Sequence, residues 1–149
     1  MAKKRIGILT GGGDVPGLNG VIKGVTYKAD DFGYEVIGIR RGWEGLTHMK
    51  PGSGLADERY IVPLDMDNTR TIDRTGGTWL HSSRTNPRKM KQAALPPTLD
   101  AKKAESMRVA EDRYDITPLV MENIESLGLD YLVPIGGDDT LSYLSLIHI

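Results

Sequence analysis

A short apolar strand that ends in three consecutive glycines limits the fold of this chain more than any other feature. Arg5 to Thr10 (RIGILT) reads as the strand, and Gly11 to Gly13 follow at once. Residues 17–31 then have apolar side chains at helical spacing, Gly33 can end that helix, and residues 34–39 predict a second strand. Strand, turn, helix and strand make a βαβ unit, which predicts an α/β fold: a Rossmann-like, three-layer parallel sheet with helices on both faces. The predicted inward face of the helix carries Leu18, Val21, Ile22, Val25 and Ala29.

The last third of the chain predicts a second helix, strand and glycine turn. Thr117 can cap the helix, Pro118 suits its first position, and Gly128 suits its end. Residues 131–135 (YLVPI) predict a strand, although its proline removes one N–H from the sheet ladder. This strand runs directly into residues 136–140 (GGDDT).

The middle of the chain gives weaker patterns. Residues 60–64 predict a short strand, and residues 76–80 (GGTWL) predict a close backbone approach followed by another strand. Residues 84–113 are polar and rich in basic side chains, so we expect a surface segment with one or two exposed helices.

Composition excludes several classes of protein. The chain has 149 residues, which suits one domain, and its net charge of −1 offers no broad basic field for nucleic acid or a membrane. The absence of cysteine excludes disulfides, thiolate zinc sites and cysteine nucleophiles, and it agrees with a cytoplasmic location. No apolar run is long enough for a signal peptide or a membrane span.

The two glycine turns predict a phosphate site. In a parallel sheet both turns lie at the carboxyl edge, where glycines let backbone N–H groups approach phosphate oxygens and a following helix adds its positive end. The second turn also carries Asp138, Asp139 and Thr140, and an aspartate there can hold Mg²⁺ that bridges phosphates. The alternative is that one of these side chains only caps the next helix.

Arg84 is the one basic residue with a candidate chemical role. It follows residues 76–80, and an arginine at this edge could neutralise charge on a transferring phosphoryl group. The alternative is an ordinary solvated arginine in a polar loop. Trp43 and Trp79 are interpreted as packing residues, and His48, His81 and His148 receive no role.

Several motifs together resemble the phosphofructokinase family. Residues 10–19 (TGGGDVPGLN) are similar to its opening signature, and GIRRGWEG, GGT, SR and GGDDT follow in the family's order. The resemblance implies that Gly12 contacts the donor phosphate through its backbone, that Arg84 and Thr85 bind the donor, and that Arg84 also stabilises the transferring group. It implies that Asp138 serves Mg²⁺, within a donor-binding loop comprising Gly137, Asp138, Asp139 and Thr140. The implied substrates are fructose 6-phosphate and a phosphoryl donor, in a glycolytic enzyme of homo-oligomeric form.

Two departures from the family pattern affect the expected donor and regulation. ATP-using members have glycine where this chain has Asp139, whereas pyrophosphate-using members have aspartate. A carboxylate near the α-phosphate of ATP would place like charges together, so Asp139 favours pyrophosphate and is assigned with Arg84 to catalysis. Two arginines on the first helix of allosteric members correspond here to Lys23 and Tyr27, which argues against that effector site.

The resemblance covers residues 4–143, so we expect residues 1–143 to be the N-terminal donor-binding part of a phosphofructokinase and residues 144–149 (LSLIHI) to be a non-native, uncovered tail. The family's catalytic base and most of its sugar contacts would follow, so the fragment alone is expected to be inactive and its sheet truncated. Rival interpretations are an NAD or lipid kinase with a similar Gly-Gly-Asp turn, and a phosphate-binding or regulatory module without catalysis.

Overall fold

A computed structural model describes residues 3–147 of the chain. It contains six strands, which are β1 (Arg5–Thr10), β2 (Glu35–Ile39), β3 (Ile61–Leu64), β4 (Arg108–Ala110), β5 (Arg113–Tyr114) and β6 (Tyr131–Ile135). It contains six α-helices, which are α1 (Leu18–Asp31), α2 (Trp43–His48), α3 (Met66–Thr69), α4 (Ala101–Ser106), α5 (Thr117–Leu127) and α6 (Asp138–Leu144). Single 3₁₀ turns occupy Gly54–Ala56, Ile72–Arg74, Pro87–Lys89 and Gln92–Ala94.

The main sheet is mixed rather than wholly parallel. Its strand order is β3-β2-β1-β6, with β1 parallel to both β2 and β6, so that Gly7 lies opposite Ile37 and Leu132. Strand β3 is antiparallel to β2, which corrects the prediction of an all-parallel sheet. Parallel neighbours are usually joined by a crossover helix that runs back along the sheet. The one α-helix between β2 and β3, α2, has six residues and rises only about 9 Å, so the connection contains no helix of the length of β2, which is about 16 Å.

The predicted three layers are confirmed, because each face of the sheet carries its own buried cluster. Helix α1 and the segment around Ile72 and Leu80 cover one face, packing on Ile8 and Val36. Helices α2, α5 and α6 cover the other face, over a cluster that includes Leu9. Neighbouring strand residues thus point to opposite layers, as a strand buried on both faces requires.

Helix α1 forms where the apolar spacing predicts it, but its inward face is shifted. Leu18, Ile22 and Ala29 are buried, whereas Val21 is 46% exposed. Asn19 and Thr26 are buried in its place. The amide of Asn19 explains the shift, because its Nδ2 donates to the carbonyl oxygen of Thr75 (3.1 Å) and its Oδ1 accepts from the N–H of Trp79 (2.6 Å).

The C-terminal helix and strand agree with prediction except at one cap. Thr117 is the first helical residue of α5, and Asp115 supplies the cap by accepting hydrogen bonds from the N–H (3.1 Å) and hydroxyl (2.5 Å) of Thr117. Gly128 ends the helix with φ of +62°, as predicted.

In β6 the carbonyl oxygen of Ile135 faces β1, where it accepts a hydrogen bond from the N–H of Gly11. Pro134, one residue earlier, therefore faces away from β1, so its missing N–H costs no ladder hydrogen bond.

The middle of the chain follows prediction in part. The strand expected within residues 60–64 is present as β3, but residues 76–80 form no strand and turn instead, with the N–H of His81 bonded to the carbonyl oxygen of Thr78 (3.0 Å). The surface segment contains one helix, α4, and the small antiparallel hairpin β4–β5. It packs on a cluster of its own, which comprises Met90, Met107, Tyr114, Ile116 and Leu119.

The end of the chain is better covered than its sequence suggests. Leu144 is partly buried against the cluster beneath α5 and α6, and Ile147 is buried in it. The expectation of an uncovered apolar end is therefore wrong for Ile147, although Leu146 is 45% exposed. His148 and Ile149 lie outside the described residues. Within the described range, no helix combines the length and the apolarity needed to cross a membrane.

Candidate donor-binding cleft

The two glycine turns and the loop after Leu80 enclose a cleft of about 440 Å³ at the carboxyl edge of β1 and β6. All seven residues that the sequence assigns to the site line this cleft, together with Gly13 and Ser83; they are Gly12, Arg84, Thr85, Gly137, Asp138, Asp139 and Thr140. The fold thus gathers into one cleft side chains from positions 12 to 140 of the chain.

The two turns lie against each other with no room for side chains between them. The N–H of Gly11 donates to the carbonyl oxygen of Ile135 (2.8 Å), which continues the β1–β6 ladder into the turns. A Cβ atom on Gly11 would lie 2.6 Å from the hydroxyl oxygen of Thr140, and one on Gly136 would lie 2.7 Å from the carbonyl oxygen of Gly11. Glycine is therefore required at both positions by packing, before any ligand is considered.

The loop that carries Arg84 is fixed to the first turn through Gly12. The N–H of Gly12 donates to the carbonyl oxygen of Ser83 (2.9 Å), and the hydroxyl of Ser82 donates to the carbonyl oxygen of Gly12 (3.0 Å). The N–H of Gly12 is thus already engaged within the protein and is not free for a phosphate. What Gly12 offers a ligand is a backbone with φ of +81° and no side chain at the cleft wall.

Hydroxyl groups behind the cleft connect three loops. The hydroxyl of Thr10 donates to the carbonyl oxygen of His81 (2.7 Å) and accepts from the hydroxyl of Thr78 (2.8 Å). The hydroxyl of Ser83 donates to the carbonyl oxygen of Arg41 (2.7 Å). These three hydroxyl residues were missed as site residues in the sequence, where their only signal is a position next to a glycine run or next to Arg84.

The loops that these hydroxyls hold are conformationally strained. Arg41 and His81 have φ of +59° and +58°, a left-handed conformation that is uncommon for residues other than glycine. Gly42 follows with φ of +57°, and a Cβ atom on it would lie 2.7 Å from the carbonyl oxygen of Thr10. Such conformations persist only where the surrounding contacts determine them, which agrees with the hydrogen bonds of Thr10 and Ser83.

The start of α6 presents two carboxylates that do not cap the helix. Its N-cap is Gly137, with no side-chain capping hydrogen bond, and Asp138 and Asp139 occupy the first turn. The interpretation of these residues as caps is therefore wrong, although acidic side chains in a first turn still gain from the helix dipole. Both are exposed to the cleft side, whereas Thr140 is buried between the glycine turns.

A buried tryptophan holds α6 in place. Trp43 is 2% exposed, its Nε1 donates to the carbonyl oxygen of Thr140 (3.3 Å), and its ring meets that of Tyr143 edge-on at 4.8 Å. Trp43 is thus a packing residue, as interpreted from sequence, but what it positions is the helix that carries the two aspartates. Burial raises the pKa of Tyr143 to about 12, so its hydroxyl remains protonated and bonded to that of Thr117 (3.1 Å).

Asp138 has the chemistry of a magnesium ligand but few protein neighbours to complete a site. Among residues 3–147 no three carboxylate or imidazole side chains converge on one point. Mg²⁺ commonly binds through one or two carboxylates together with substrate phosphates and water, and an exposed aspartate at a phosphate-sized cleft fits that pattern. Asp138 would therefore hold the ion jointly with the donor.

Arg84 is exposed at the mouth of the cleft, and no carboxylate of the described residues lies within salt-bridge distance of its guanidinium.

Lys23 and Tyr27, at the positions of the family's effector arginines, make structural contacts instead. Lys23 pairs with Asp73 (2.9 Å), and the hydroxyl of Tyr27 donates to the carbonyl oxygen of Met66 (3.3 Å).

Curated relatives match nearly the whole length of the chain. A pyrophosphate–fructose 6-phosphate 1-phosphotransferase of Dictyoglomus thermophilum is 41% identical over 145 residues, covering 97% of this chain and 32% of the relative. An ATP-dependent 6-phosphofructokinase 2 of Clostridium perfringens is 39% identical over 140 residues, covering 93% and 32%. The chain therefore spans about a third of the length of these curated relatives.

Solved structures give the same fold. Phosphofructokinase from Saccharomyces cerevisiae matches with a TM-score of 0.66 and 27% identity, covering 97% of this chain and 15% of that one. The T-state structure of Pichia pastoris phosphofructokinase matches with a TM-score of 0.67 at 24% identity, covering 98% and 12%. The phosphofructokinase family model matches residues 5–148. The family model and the curated relatives both match nearly the whole length of the chain, and its two glycine turns meet at one cleft. The chain therefore belongs to the phosphofructokinase family.

Proposed function

We propose that the cleft binds the phosphoryl donor of an enzyme that phosphorylates the 1-hydroxyl of fructose 6-phosphate, with pyrophosphate as the preferred donor and Mg²⁺ as the metal. The observation that carries the proposal is the convergence of Arg84, Asp138 and the glycine turns on one cleft in a chain of the phosphofructokinase family. The relatives named for this reaction use pyrophosphate or ATP.

The proposed mechanism rests on positioning and charge neutralisation, which are what phosphoryl transfer requires of a protein. Gly12 and Gly137 leave the cleft wall free of side chains, so phosphates can approach the backbone. Arg84 contributes a positive charge with no competing carboxylate among the described residues, and Thr85 adds a hydroxyl beside it. Asp138 would hold Mg²⁺ together with the donor, and the bound ion would supply positive charge that offsets the charge of the phosphates.

Asp139 supports pyrophosphate as the donor. Its carboxylate lines the cleft, and it caps no helix that would explain its presence. A fixed negative charge there opposes ATP, because the α-phosphate of ATP would bring a further negative charge close to the carboxylate. Pyrophosphate has no such third phosphate. The proposal is also compatible with Gly12 and Gly137, which line the cleft without side chains and leave the same phosphate approach open to either donor.

ATP is the second candidate donor, because a relative 39% identical to the chain is named as ATP-dependent. The two candidates are separated by measuring kcat/KM for pyrophosphate and for ATP, with fructose 6-phosphate and Mg²⁺, in the full-length protein that carries this chain. We expect a clear preference for pyrophosphate. A preference for ATP would reject the donor assignment, and turnover with neither donor would reject the proposed function.

A further inference from the structure

Two further hollows adjoin the cleft on the side of Arg84. The first has a volume of about 490 Å³ and shares Ser83, Arg84 and Thr85 with the cleft. The second has a volume of about 280 Å³, lies beside the β4–β5 hairpin, and shares Lys89 with the first. The cleft thus borders the first hollow at Ser83, Arg84 and Thr85, and the first hollow borders the second at Lys89. We call this succession of three hollows, which leads from the cleft onto the surface segment of residues 84–113, the path.

Basic side chains line this path along its whole length. Five of them, all exposed, belong to the cleft mouth, the 3₁₀ turn that follows it and the hairpin: Arg84, Arg88, Lys89, Lys91 and Arg113. We call these five residues the basic track. The track is local, because the whole chain carries a net charge of only −1.

The positive charge of the track is largely uncompensated. Within residues 3–147 the one track residue with a carboxylate in salt-bridge range is Arg88, 3.7 Å from Asp115. Asp115 also accepts hydrogen bonds from Thr117. Glu44, which lines the first hollow, is paired with Arg41 at 3.0 Å, and the remaining carboxylates of the path, Asp138 and Asp139, lie at its cleft end. Four like charges on one strip therefore repel one another unless an anion lies among them.

We propose that the basic track binds linear inorganic polyphosphate, one end of which lies in the cleft; the placement of that end rests on the proposed donor site. A polyphosphate chain carries negative charge on every repeat, as a strip of successive cations requires. The one aromatic ring in the lining of the two outer hollows is that of His48, which is half-buried and hydrogen-bonded to Thr47, and no tryptophan, tyrosine or phenylalanine there offers a stacking surface for a nucleobase. The chemistry of the path thus favours a purely phosphate ligand over a nucleotide.

Each exposed cation contributes little by itself in water, but several acting on one polyanion add their contributions and make the affinity dependent on salt. Two measurable effects are therefore expected of the basic track. Affinity should rise with the number of phosphates in the ligand, and the dependence of affinity on salt concentration should become steeper over the same series.

The test uses the full-length protein that carries this chain, titrated calorimetrically with pyrophosphate, triphosphate, a long-chain polyphosphate and ATP at two salt concentrations. The track variant is the double substitution Lys89→Gln with Arg113→Gln, which leaves the cleft residues unchanged. The matched control is Lys102→Gln with Arg70→Gln, two exposed cations that line none of the three hollows. Thermal unfolding of each variant reports whether it folds.

We expect long-chain polyphosphate to bind on the order of tenfold more tightly than pyrophosphate. The track variant should lose that gain, keep its affinity for pyrophosphate, and unfold at the same temperature as the control. Equal affinities for short and long chains, or equal losses in the track and control variants, would overturn the proposal. Tighter binding of ATP that the track variant abolishes would overturn it in favour of a nucleotide. Retained polyphosphate binding without pyrophosphate binding would support the track while rejecting the proposed donor site.

Discussion

The amide N–H of Gly12 donates a hydrogen bond to the carbonyl oxygen of Ser83, 2.9 Å away. This bond joins the first glycine turn to the residue that directly precedes Arg84. Because Ser83 is also bonded through its hydroxyl to Arg41 (2.7 Å), the backbone beside Arg84 is held from two sides. The fold therefore fixes the backbone from which the exposed Arg84 side chain extends at the cleft, and no described carboxylate forms a salt bridge with that side chain.

Substitution of Arg84 tests its proposed role in charge neutralisation. In the full-length protein, Arg84→Ala should lower kcat by on the order of a hundredfold, as the loss of a transition-state charge contact does. Stability should change little, because the side chain is exposed. Arg84→Lys keeps the charge and should retain more activity. A near-normal kcat in Arg84→Ala would make this residue an ordinary solvated arginine.

Substitution of Asp138 tests the metal assignment. Asp138→Asn keeps the size of the side chain and removes its charge, so we expect kcat to fall on the order of a hundredfold and the Mg²⁺ concentration needed for half-maximal rate to rise. The informative comparison is with Glu122→Gln, an exposed carboxylate on α5 paired with Lys103. An unchanged Mg²⁺ dependence in Asp138→Asn would remove Asp138 from the metal site.

Substitution of Asp139 tests donor discrimination. Asp139→Gly should weaken the use of pyrophosphate, measured as kcat/KM, and it removes one first-turn carboxylate at a cost of about 0.3–1 kcal/mol in helix stability. We do not expect ATP use to appear, because a further determinant is expected in the remainder of the protein. Asp139→Asn separates charge from size. Pyrophosphate turnover equal to that of the unchanged protein would contradict the assignment.

Thr10 is expected to act on activity through position alone. Thr10→Val removes the donor to His81 and the acceptor for Thr78, and the loss of these two part-buried hydrogen bonds should lower the free energy of unfolding by about 0.5–1.5 kcal/mol for each bond. If these bonds place the Arg84 loop, kcat should fall more than KM rises, and Thr10→Ser should restore both. A stability loss without any change in kcat would limit Thr10 to a structural role.

His48 should give the folded chain a measurable dependence on acidity. Burial lowers the pKa of His48 from its ordinary 6.5, and this effect exceeds the opposing attraction of Glu44. The unfolded state therefore binds a proton more readily, so the free energy of unfolding decreases as pH falls below about 6.5. Above that pH the contribution is fully present. In urea titrations His48→Gln should show a shallower decrease on acidification, and identical pH profiles would exclude this origin.

The parts of the fold that were predicted correctly are those with a local cause. The α1 helix, its glycine stop and the turns after β1 and β6 follow from apolar spacing and from residues with special backbone preferences. The antiparallel direction of β3 was missed because it depends on the length of a connection whose helix, α2, the sequence did not reveal. The prediction of a strand over residues 76–80 was wrong. The apolar residues of this segment fit a strand pattern, but hydrogen bonds to the distant Thr10 hold the segment in a turn.

The membership of the cleft was predictable, whereas its support was not. The residues assigned from sequence lie in three short motifs, at positions 12, 84–85 and 137–140, and the structure places them in one cleft. Thr10, Thr78 and Ser83 support that cleft through hydrogen bonds across as many as 71 residues of sequence. Such partners have no periodicity and no composition signal. The engagement of the Gly12 N–H by the carbonyl oxygen of Ser83 is likewise a tertiary contact that the sequence does not reveal.

The parallel pairing of β1 with β6 joins residues 5–10 to residues 131–135. One wall of the cleft is thus synthesised first and the facing wall more than a hundred residues later, so a ribosome must release nearly the whole of this chain before a donor could be held. Pairings of such long sequence separation form slowly, because loop closure precedes their stabilisation. Until then the strand RIGILT remains without a neighbour on that side, which makes the nascent chain a natural client for chaperones that shield apolar strands during translation.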